Sequence, residues 1–369
     1  MLNNDKISAR QVFVVFVMST FSPATRLLPS LCANYGGVAG WLGPAAAGAA
    51  LAALMAAMAS MFKGSAAPRD LSDAFEAAFG RLGRRAALSV YLLWTLLLYF
   101  IYIRYYAERL MGTTFPNVDI RFFLIPMLVL VFIAARGKIE AFARFAEVTI
   151  LIFTAVFAVL FICFIPSIKP SNLLPVTPYD APRVAASSLP AIHVWGFFTL
   201  FFFLGEHISN RHEIGKYIKK SVIYLVAIAT ATLVSIIGSL NYKTVTRMPT
   251  PFFSATKLIQ VVRSFDRMEA ILLSLWVVSD FVTILAFAFI AMNIAKKLFG
   301  TPDTRPFASP TVLLGYVGGI AVASNGLELE SFSANPAVIA VNISLCTLFP
   351  LAVCLIVKLK TKKKSVVSR

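Results

Sequence analysis

Hydrophobic and polar positions alternate along this chain in long blocks, with no period of two. Ten apolar segments of 14 to 26 residues are separated by short polar connections. They cover residues 11–32, 40–62, 86–103, 122–135, 145–165, 187–205, 221–240, 270–295, 309–324 and 337–357. About 20 apolar residues are needed to cross a bilayer as a helix. Because lipid offers the backbone no hydrogen bonds, the pattern predicts an all-α polytopic membrane protein with ten transmembrane helices.

Composition and charge agree with this class. Of the 369 residues, 59% are hydrophobic and 14% are charged, whereas a soluble domain carries about 25% charged residues. This argues against a soluble globule and against a nucleic-acid binder, despite the net charge of +17. With both termini in the cytoplasm, 23 of the 34 Lys and Arg residues fall on the cytoplasmic side and ten on the other. The positive-inside rule therefore predicts that orientation, with a basic cytoplasmic tail at residues 358–369.

The first apolar segment contains a polar interruption. Pro23 lies near its middle, where it removes one helical hydrogen bond. An unwound stretch over Phe21–Arg26 would begin a new half-helix whose amides favour an anion. The alternative is a proline kink whose backbone groups are satisfied by neighbouring helices. The interruption predicts four ligand-binding residues: Ser22, Ala24, Thr25 and Arg26.

Arg26 lies inside an apolar segment, where a guanidinium is costly and usually faces a partner or a wet cavity. The eighth segment holds a carboxylate, Asp280, on one helical face with Trp276 and Thr283. We therefore predict an Arg26–Asp280 ion pair or a shared polar site that includes Thr283. The alternative is that each charge satisfies unrelated backbone groups.

The sixth segment has a second weak point at Gly196, because glycine costs about 1 kcal/mol in a helix relative to alanine. His193 and Thr199 flank it, and Phe197 follows it. We expect Gly196 to supply backbone groups and Phe197 an apolar wall to the ligand site. His193 is either a ligand or proton-carrying group, or a hydrogen-bonded packing residue.

The two weak points are five segments apart, which is typical of inverted-repeat transporters with a mid-membrane site. We predict a single transmembrane domain with a 5+5 inverted repeat, its halves at about 8–166 and 187–358, and broken helices one and six. Residues 251–267 predict a short amphipathic extracytoplasmic helix, either across the outer mouth or in the lipid interface.

Four sequence stretches carry a resemblance to a known family. Residues 6–13 read KISARQVF, residues 39–42 read AGWL, residues 137–147 read GKIEAFARFAE, and residues 265–269 read FDRME before Trp276. Their order and spacing resemble the spore germination permeases, the B subunits of nutrient germinant receptors. The chain departs from the family pattern at residues 22–26, SPATR, where the family usually has a small glycine-containing break.

The resemblance implies the amino acid–polyamine–organocation fold, with helices one and six unwound around a ligand. It also implies a receptor with an A subunit and a lipoprotein C subunit, in the spore inner membrane or a cell membrane. The ligand would be a small nutrient, often an amino acid. Two other functions stay open: a proton-coupled amino acid transporter using Asp280 or His193, and a purely structural assembly subunit. We expect no enzyme activity, cofactor or metal site, since no phosphate-binding loop, HExxH or GxSxG motif is present.

Overall fold

Helices account for nearly all of the structure, a computed structural model that describes residues 6–62, 68–113, 115, 117–248, 250–256 and 268–367. The α-helices are α1 (Ala9–Arg26), α2 (Leu28–Gly36), α3 (Gly43–Met61), α4 (Leu71–Thr113), α5 (Arg121–Ala135), α6 (Ile139–Phe164), α7 (Ala181–Trp195), α8 (Ile214–Leu240), α9 (Tyr242–Val245), α10 (Pro251–Thr256), α11 (Met268–Phe299), α12 (Ala308–Ala321), α13 (Gly326–Ser333), α14 (Pro336–Ile343) and α15 (Phe349–Val367). Each of the ten apolar segments coincides with one or two of these helices and their short 3₁₀ or π extensions. The all-α prediction is confirmed for the described residues.

The described chain supports fewer membrane crossings than the ten that the sequence predicts. Seven helical stretches of the described chain are long and apolar enough to span a bilayer, and a bent pair would make eight. Helix α5 is apolar but has only 15 residues, and α1 is not among the seven. The chain therefore has the build of a polytopic membrane protein, while ten crossings and the 5+5 repeat stay predictions.

Local sequence signals explain several helix boundaries. Helix α1 begins with a capping box, in which the Ser8 hydroxyl accepts from the Gln11 amide and the Gln11 side chain accepts from the Ser8 amide. Helix α4 is kinked at Gly80, whose φ of 76° is a backbone conformation that favours glycine. Beyond this kink, α4 continues to Thr113, ten residues past the predicted end at residue 103.

The centre of the bundle is built from α4, α11 and α1. Helices α4 and α11 run antiparallel, since Arg109 near the end of α4 meets Asp280, while Lys297 near the end of α11 meets Asp70 just before α4. Helix α1 packs against α6, α8 and α11, and the small-residue helix α3 packs against α7 and α8. The functional residues predicted on α1 and α11 therefore face each other.

A sharp corner joins the two helices of the bent pair. The direction changes by 102° between residues 305–321 and 326–333. Arg104 of α4 holds this corner, donating to the Ser324 carbonyl at 2.9 Å and to the Ile320 carbonyl at 3.4 Å. Its charge is balanced by Glu108, one turn further along α4, at 2.6 Å.

Two changes of helix type lie side by side. Helix α7 ends at Trp195, and a 3₁₀ helix runs from Gly196 to His207. Twelve residues are long for a 3₁₀ helix, which rarely exceeds three or four. A π-helical segment, Ser344–Leu348, joins α14 to α15, and its Cys346 Cβ would lie 3.5 Å from a Cβ placed on Gly196. At Gly196 the chain therefore changes from an α-helix to a 3₁₀ helix and stays helical on both sides of the glycine.

Two predicted segments are described only in part. The amphipathic helix expected over residues 251–267 is helical at Pro251–Thr256, and residues 257–267 lie outside the described part of the chain. The basic tail predicted at residues 358–369 continues α15 as far as Val367.

Candidate functional site

Pro23 does not unwind α1. The predicted stretch Phe21–Arg26 is helical, so that expectation was wrong. A proline at this position leaves the Ser19 carbonyl without its helical donor. The Thr283 hydroxyl of α11 lies 3.1 Å from that carbonyl and shares its one hydrogen between it and the Ser279 carbonyl, at 2.8 Å in its own helix. In membranes, a neighbouring hydroxyl commonly satisfies a carbonyl freed by proline, and here Thr283 has that structural contact.

A second hydroxyl of α11, that of Ser279, forms hydrogen bonds with the backbone of the same region of α1. Ser279 donates to the Met18 carbonyl at 3.0 Å and accepts from the Ser22 amide at 3.2 Å. Further along, the Trp276 indole donates to the Thr25 hydroxyl at 2.9 Å. All of these side chains are buried. One face of α11 therefore holds the polar part of α1 in a helical conformation.

The carboxylate of this face is paired with an arginine that sequence reasoning missed. Arg109 donates to Asp280 at 2.8 Å and to the Ser22 hydroxyl at 2.6 Å, and its guanidinium carbon lies 4.7 Å from the Trp276 ring centroid. The Arg109 and Asp280 side chains are each 3% exposed. The predicted Arg26–Asp280 ion pair was therefore wrong in its basic partner. Arg109 reaches the carboxylate instead, and Ser22 joins the pair to α1.

Arg26 is buried without a carboxylate partner among the described residues. Its guanidinium carbon lies 3.1 Å from the Tyr105 ring centroid, one turn before Arg109 on α4. One terminal nitrogen, Nη2, is buried and donates to no protein atom. Arg109 likewise has a buried, unpartnered Nε. Two adjacent guanidinium groups thus keep donors that only a further acceptor can satisfy.

Both arginines line one cavity of about 320 Å³, at the lower end of the range of small-molecule sites. Its walls come from the ends of α1 and α4, from Thr250, and from the first residues of α13. The lining residues are Arg26, Tyr105, Glu108, Arg109, Gly112, Thr113, Thr250, Asn325, Gly326, Leu327 and Glu330. We call this space the Arg26 cavity. It combines two cations with two carboxylates, Glu108 and Glu330, and one apolar side chain.

The remaining predicted residues of α1 lie beside a much smaller space. Ala24 and Thr25 border a cavity of about 10 Å³ together with Trp195. That volume is at the limit of a single water molecule, so it is too small for a nutrient. Of the predicted α1 residues, Arg26 alone lines the larger cavity, and Ser22 contacts it through Arg109.

The predicted residues of the sixth segment form a separate polar cluster. The Asn342 amide of α14 donates to the His193 carbonyl at 2.8 Å and lies 3.1 Å from the His193 ring. Its oxygen accepts from the Trp94 indole at 3.0 Å and from the Cys346 thiol at 3.4 Å. Thr199 donates back to the Gly196 carbonyl at 3.1 Å. His193 thus has the contacts of a packing residue.

Aromatic rings connect this cluster to the Arg26 cavity. Phe197 packs edge-on against His193 and against Tyr102, with ring centroids 6.0 Å apart in both cases. Tyr102 in turn lies beside Tyr105, the ring under Arg26, at 6.4 Å. His193, Gly196, Phe197 and Thr199 do not border the Arg26 cavity. The structure therefore divides the predicted site into two regions.

Glu108, Arg109 and Glu330 are the charged lining residues of the Arg26 cavity that sequence reasoning missed. Arg109 is one of the ten cations that the charge count assigns to the non-cytoplasmic connections, although the sequence carries a signal for it. Tyr102, Tyr105, Tyr106 and Arg109 follow the helical spacing i, i+3, i+4 and i+7. Hydropathy alone ended the segment at residue 103 because Arg104 and Arg109 lowered its average. Among the described residues, no group of three His, Cys, Asp or Glu side chains is placed to bind a metal ion.

Comparison with known proteins gives a match to one family model and no match to a curated protein. The family model for spore germination proteins, the spore permeases, matches residues 6–323, which include α1 to α12. Two stretches that carried the resemblance form ion pairs: Arg10 with Glu147 at 2.6 Å, and Arg144 with Glu140 at 2.5 Å. With most of its length matched, the chain belongs to the spore germination permease family.

Proposed function

We propose that the protein is the permease-like, ligand-sensing subunit of a spore nutrient germinant receptor. In this proposal a small nutrient of the amino acid type binds in the Arg26 cavity, and its binding is relayed to A and C receptor subunits. The ten-helix inverted-repeat architecture, both cytoplasmic termini and the spore inner membrane belong to the same proposal. Family membership supports the setting, and the Arg26 cavity supports the ligand.

The observation that carries the proposal is the unpartnered Arg26 guanidinium in the wall of that cavity. A buried donor without an acceptor costs about 1–3 kcal/mol, and a ligand carboxylate would remove this cost. Arginine also matches a carboxylate with two parallel hydrogen bonds. The most direct partner of Arg26 is therefore the carboxylate of a small ligand.

The opposite wall fits the other end of an amino acid. Glu330 lines the cavity and has no ion-pair partner among the described residues, while Glu108 is engaged by Arg104. An amino acid whose carboxylate contacts Arg26 and whose ammonium group contacts Glu330 would balance both charges. Gly326 keeps α13 close to Glu108, since a Cβ there would lie 3.1 Å from the Glu108 carboxylate. The short helix α13 thus forms one wall of the site.

The transporter alternative depends on a group that carries a proton, either Asp280 or His193. His193 has the packing contacts with Asn342 described above. Asp280 is the buried acid of α11, but Arg109 already neutralises it at 2.8 Å. The arrangement provides a structural ion pair and does not require a proton on Asp280. We therefore favour a sensing role over proton-coupled uptake.

The test measures amino acid binding to the full chain in lipid nanodiscs, with Arg26→Gln compared with the wild type. We expect at least one amino acid to bind, and Arg26→Gln to weaken it at least tenfold. Arg183→Gln is the matched control, because the Arg183 side chain is exposed and its ion pair is with Asp180, outside the Arg26 cavity. Equal affinities in wild type and Arg26→Gln would refute the carboxylate role.

A second measurement separates sensing from transport. The single chain is reconstituted in proteoliposomes, and uptake of the bound amino acid is followed under a proton gradient. We expect binding without uptake, together with co-purification of A and C subunits when the three are expressed in one cell. Gradient-dependent uptake by the chain alone would support the transporter.

A further inference from the structure

A second, larger cavity lies at the opposite end of the bundle. It has a volume of about 720 Å³ and includes Lys6, which precedes Arg26 by twenty residues, or about 30 Å along a helix. Six cationic side chains and three carboxylates line it. We call it the basic cavity. The basic cavity shares no lining residue with the Arg26 cavity.

Part of this charge is already neutralised. Lys297 contacts Asp70 and lies 3.6 Å from Glu206, while Lys296 lies 2.8 Å from the same glutamate. The Asp70 side chain is 1% exposed and that of Lys297 is 13% exposed, so this pair is buried. The two lysines therefore hold the end of α11 against Asp70, just before α4, and against Glu206, near the end of the 3₁₀ helix.

Of the other four cations that line the cavity, three have no ion-pair partner among the described residues. Arg84 pairs with Glu76, and the Asp73 carboxylate accepts from the backbone amide of Arg69 at 3.1 Å. In the described part of the chain, Lys6, Arg69 and Arg211 have no ion-pair partner. The cavity therefore holds an excess of positive charge on three separate chain segments.

The fold brings two of these three segments together through main-chain contacts. The Ile7 amide donates to the His207 carbonyl at 2.9 Å, and the Ser209 amide donates to the Ile7 carbonyl at 3.0 Å. The Ala9 amide donates to Asn210 at 2.6 Å. Lys6 and Arg211 flank this bridge and are therefore placed at the same rim.

Arg69 is positioned by a close backbone contact. Gly205, near the end of the 3₁₀ helix, packs so tightly here that a Cβ on it would lie 2.5 Å from the Arg69 carbonyl oxygen and 3.1 Å from the Asp70 Cα atom. The three cations are thus held near one another although like charges repel. A cleft lined by an excess of one sign of charge concentrates counter-ions of the opposite sign, so an anion is the expected occupant.

We propose that the basic cavity binds a multivalent oxyanion, either free phosphate-type anions or the phosphate of a lipid headgroup. Arg69 and Arg211 would supply planar guanidinium donors that suit phosphate oxygens, and Lys6 a third charge. The volume accommodates an anion larger than a single phosphate. Because this cavity is remote from Arg26, the proposal stands apart from the nutrient site.

The test uses inorganic pyrophosphate as the probe and the full chain in nanodiscs of uncharged phosphatidylcholine. Calorimetric titration is done at constant ionic strength, with chloride replaced as pyrophosphate is added. We expect saturable binding of one pyrophosphate per chain. The double variant Arg69→Gln, Arg211→Gln should weaken it at least tenfold, and Lys6→Gln alone should weaken it less.

The control removes the same amount of charge elsewhere. Lys219 and Lys220 are exposed on α8 outside the cavity, so Lys219→Gln with Lys220→Gln should leave the affinity unchanged. Absence of saturable binding in the wild type would overturn the proposal. An equal loss in the two double variants would do the same, since it would indicate a diffuse basic surface.

A second arm distinguishes the two sources of phosphate. Pyrophosphate titrations are repeated in nanodiscs that contain phosphatidylglycerol. A fall in apparent affinity that disappears in the Arg69→Gln, Arg211→Gln variant would identify lipid headgroups as the occupant. An unchanged affinity would identify a soluble oxyanion. The unfolding temperature of each variant in the same nanodiscs serves as the folding control.

Discussion

Two buried polar clusters differ in how completely their hydrogen bonds are formed. The cluster around Asn342 uses both ends of the amide, which contacts His193, Trp94 and Cys346. The cluster around Asp280 contains two arginines, Arg26 and Arg109, each with a buried donor that meets no protein acceptor. The first cluster lies in packed protein, and the second borders a cavity.

The difference separates stability from recognition. A satisfied polar network inside a membrane protein fixes helix positions and offers a ligand nothing new. A polar network with unpaired buried donors is costly until an acceptor binds. It is therefore a site for a ligand of opposite charge. Residue types alone do not distinguish the two, because each cluster combines a titratable group with aromatic and hydroxyl neighbours. The unpaired guanidinium donors of Arg26 and Arg109 at the cavity wall distinguish the second cluster from the first.

The largest expected effect comes from breaking the Arg109–Asp280 pair. Asp280→Ala leaves the Arg109 charge buried and should lower the free energy of unfolding by about 3–5 kcal/mol. The double variant Arg109→Met, Asp280→Leu removes both charges and should cost less. Denaturant unfolding of the nanodisc protein measures both. A single variant no worse than the double variant would contradict a buried pair.

Asn342→Leu tests the satisfied cluster. It removes the acceptor of the Trp94 indole and the donor to His193, and should cost about 1–3 kcal/mol of stability. Nutrient affinity in the folded variant should be unchanged, because Asn342 does not line the Arg26 cavity. A tenfold affinity loss at wild-type stability would place this cluster in the ligand site.

Arg26→Lys tests the open cluster with its charge retained. Lysine lacks the planar fork that binds a carboxylate in two places, so nutrient affinity should fall roughly tenfold, about 1.4 kcal/mol. Stability should change little, since Arg26 has no ion pair with any described residue to lose. Affinity and unfolding are measured on the same preparation. Full affinity would indicate that a point charge is sufficient.

Gly196→Ala should have the smallest effect. An added Cβ would lie 3.3 Å from the Thr347 hydroxyl and 3.5 Å from the Cys346 Cβ, contacts that a small shift relieves. Alanine also favours helix by about 1 kcal/mol, so the net change in stability should stay below about 1 kcal/mol. A large loss of nutrient response at normal stability would instead identify a hinge at Gly196.

Part of the site was predictable because membrane charges are rare. Arg26 and Asp280 were found as charges inside apolar segments, and Trp276 and Thr283 as residues on the same helical face as Asp280. Their pairing was not predictable. Arg109 took the place expected for Arg26, because α4 continues beyond its apolar segment and carries this arginine to Asp280. A hydropathy average cannot register a charge that a distant carboxylate neutralises.

The sequence by itself determined the all-α membrane class, the apolar segments and the family, since these depend on composition and order along the chain. Only the tertiary structure decided whether Pro23 unwinds α1. It does not, because Thr283, 260 residues away along the chain, donates to the carbonyl that proline leaves free. Tertiary structure also decided which guanidinium stays unpaired at a cavity wall. Both outcomes depend on contacts between helices that are distant in sequence, where the hydrogen bonds of one helix are completed by the side chains of another.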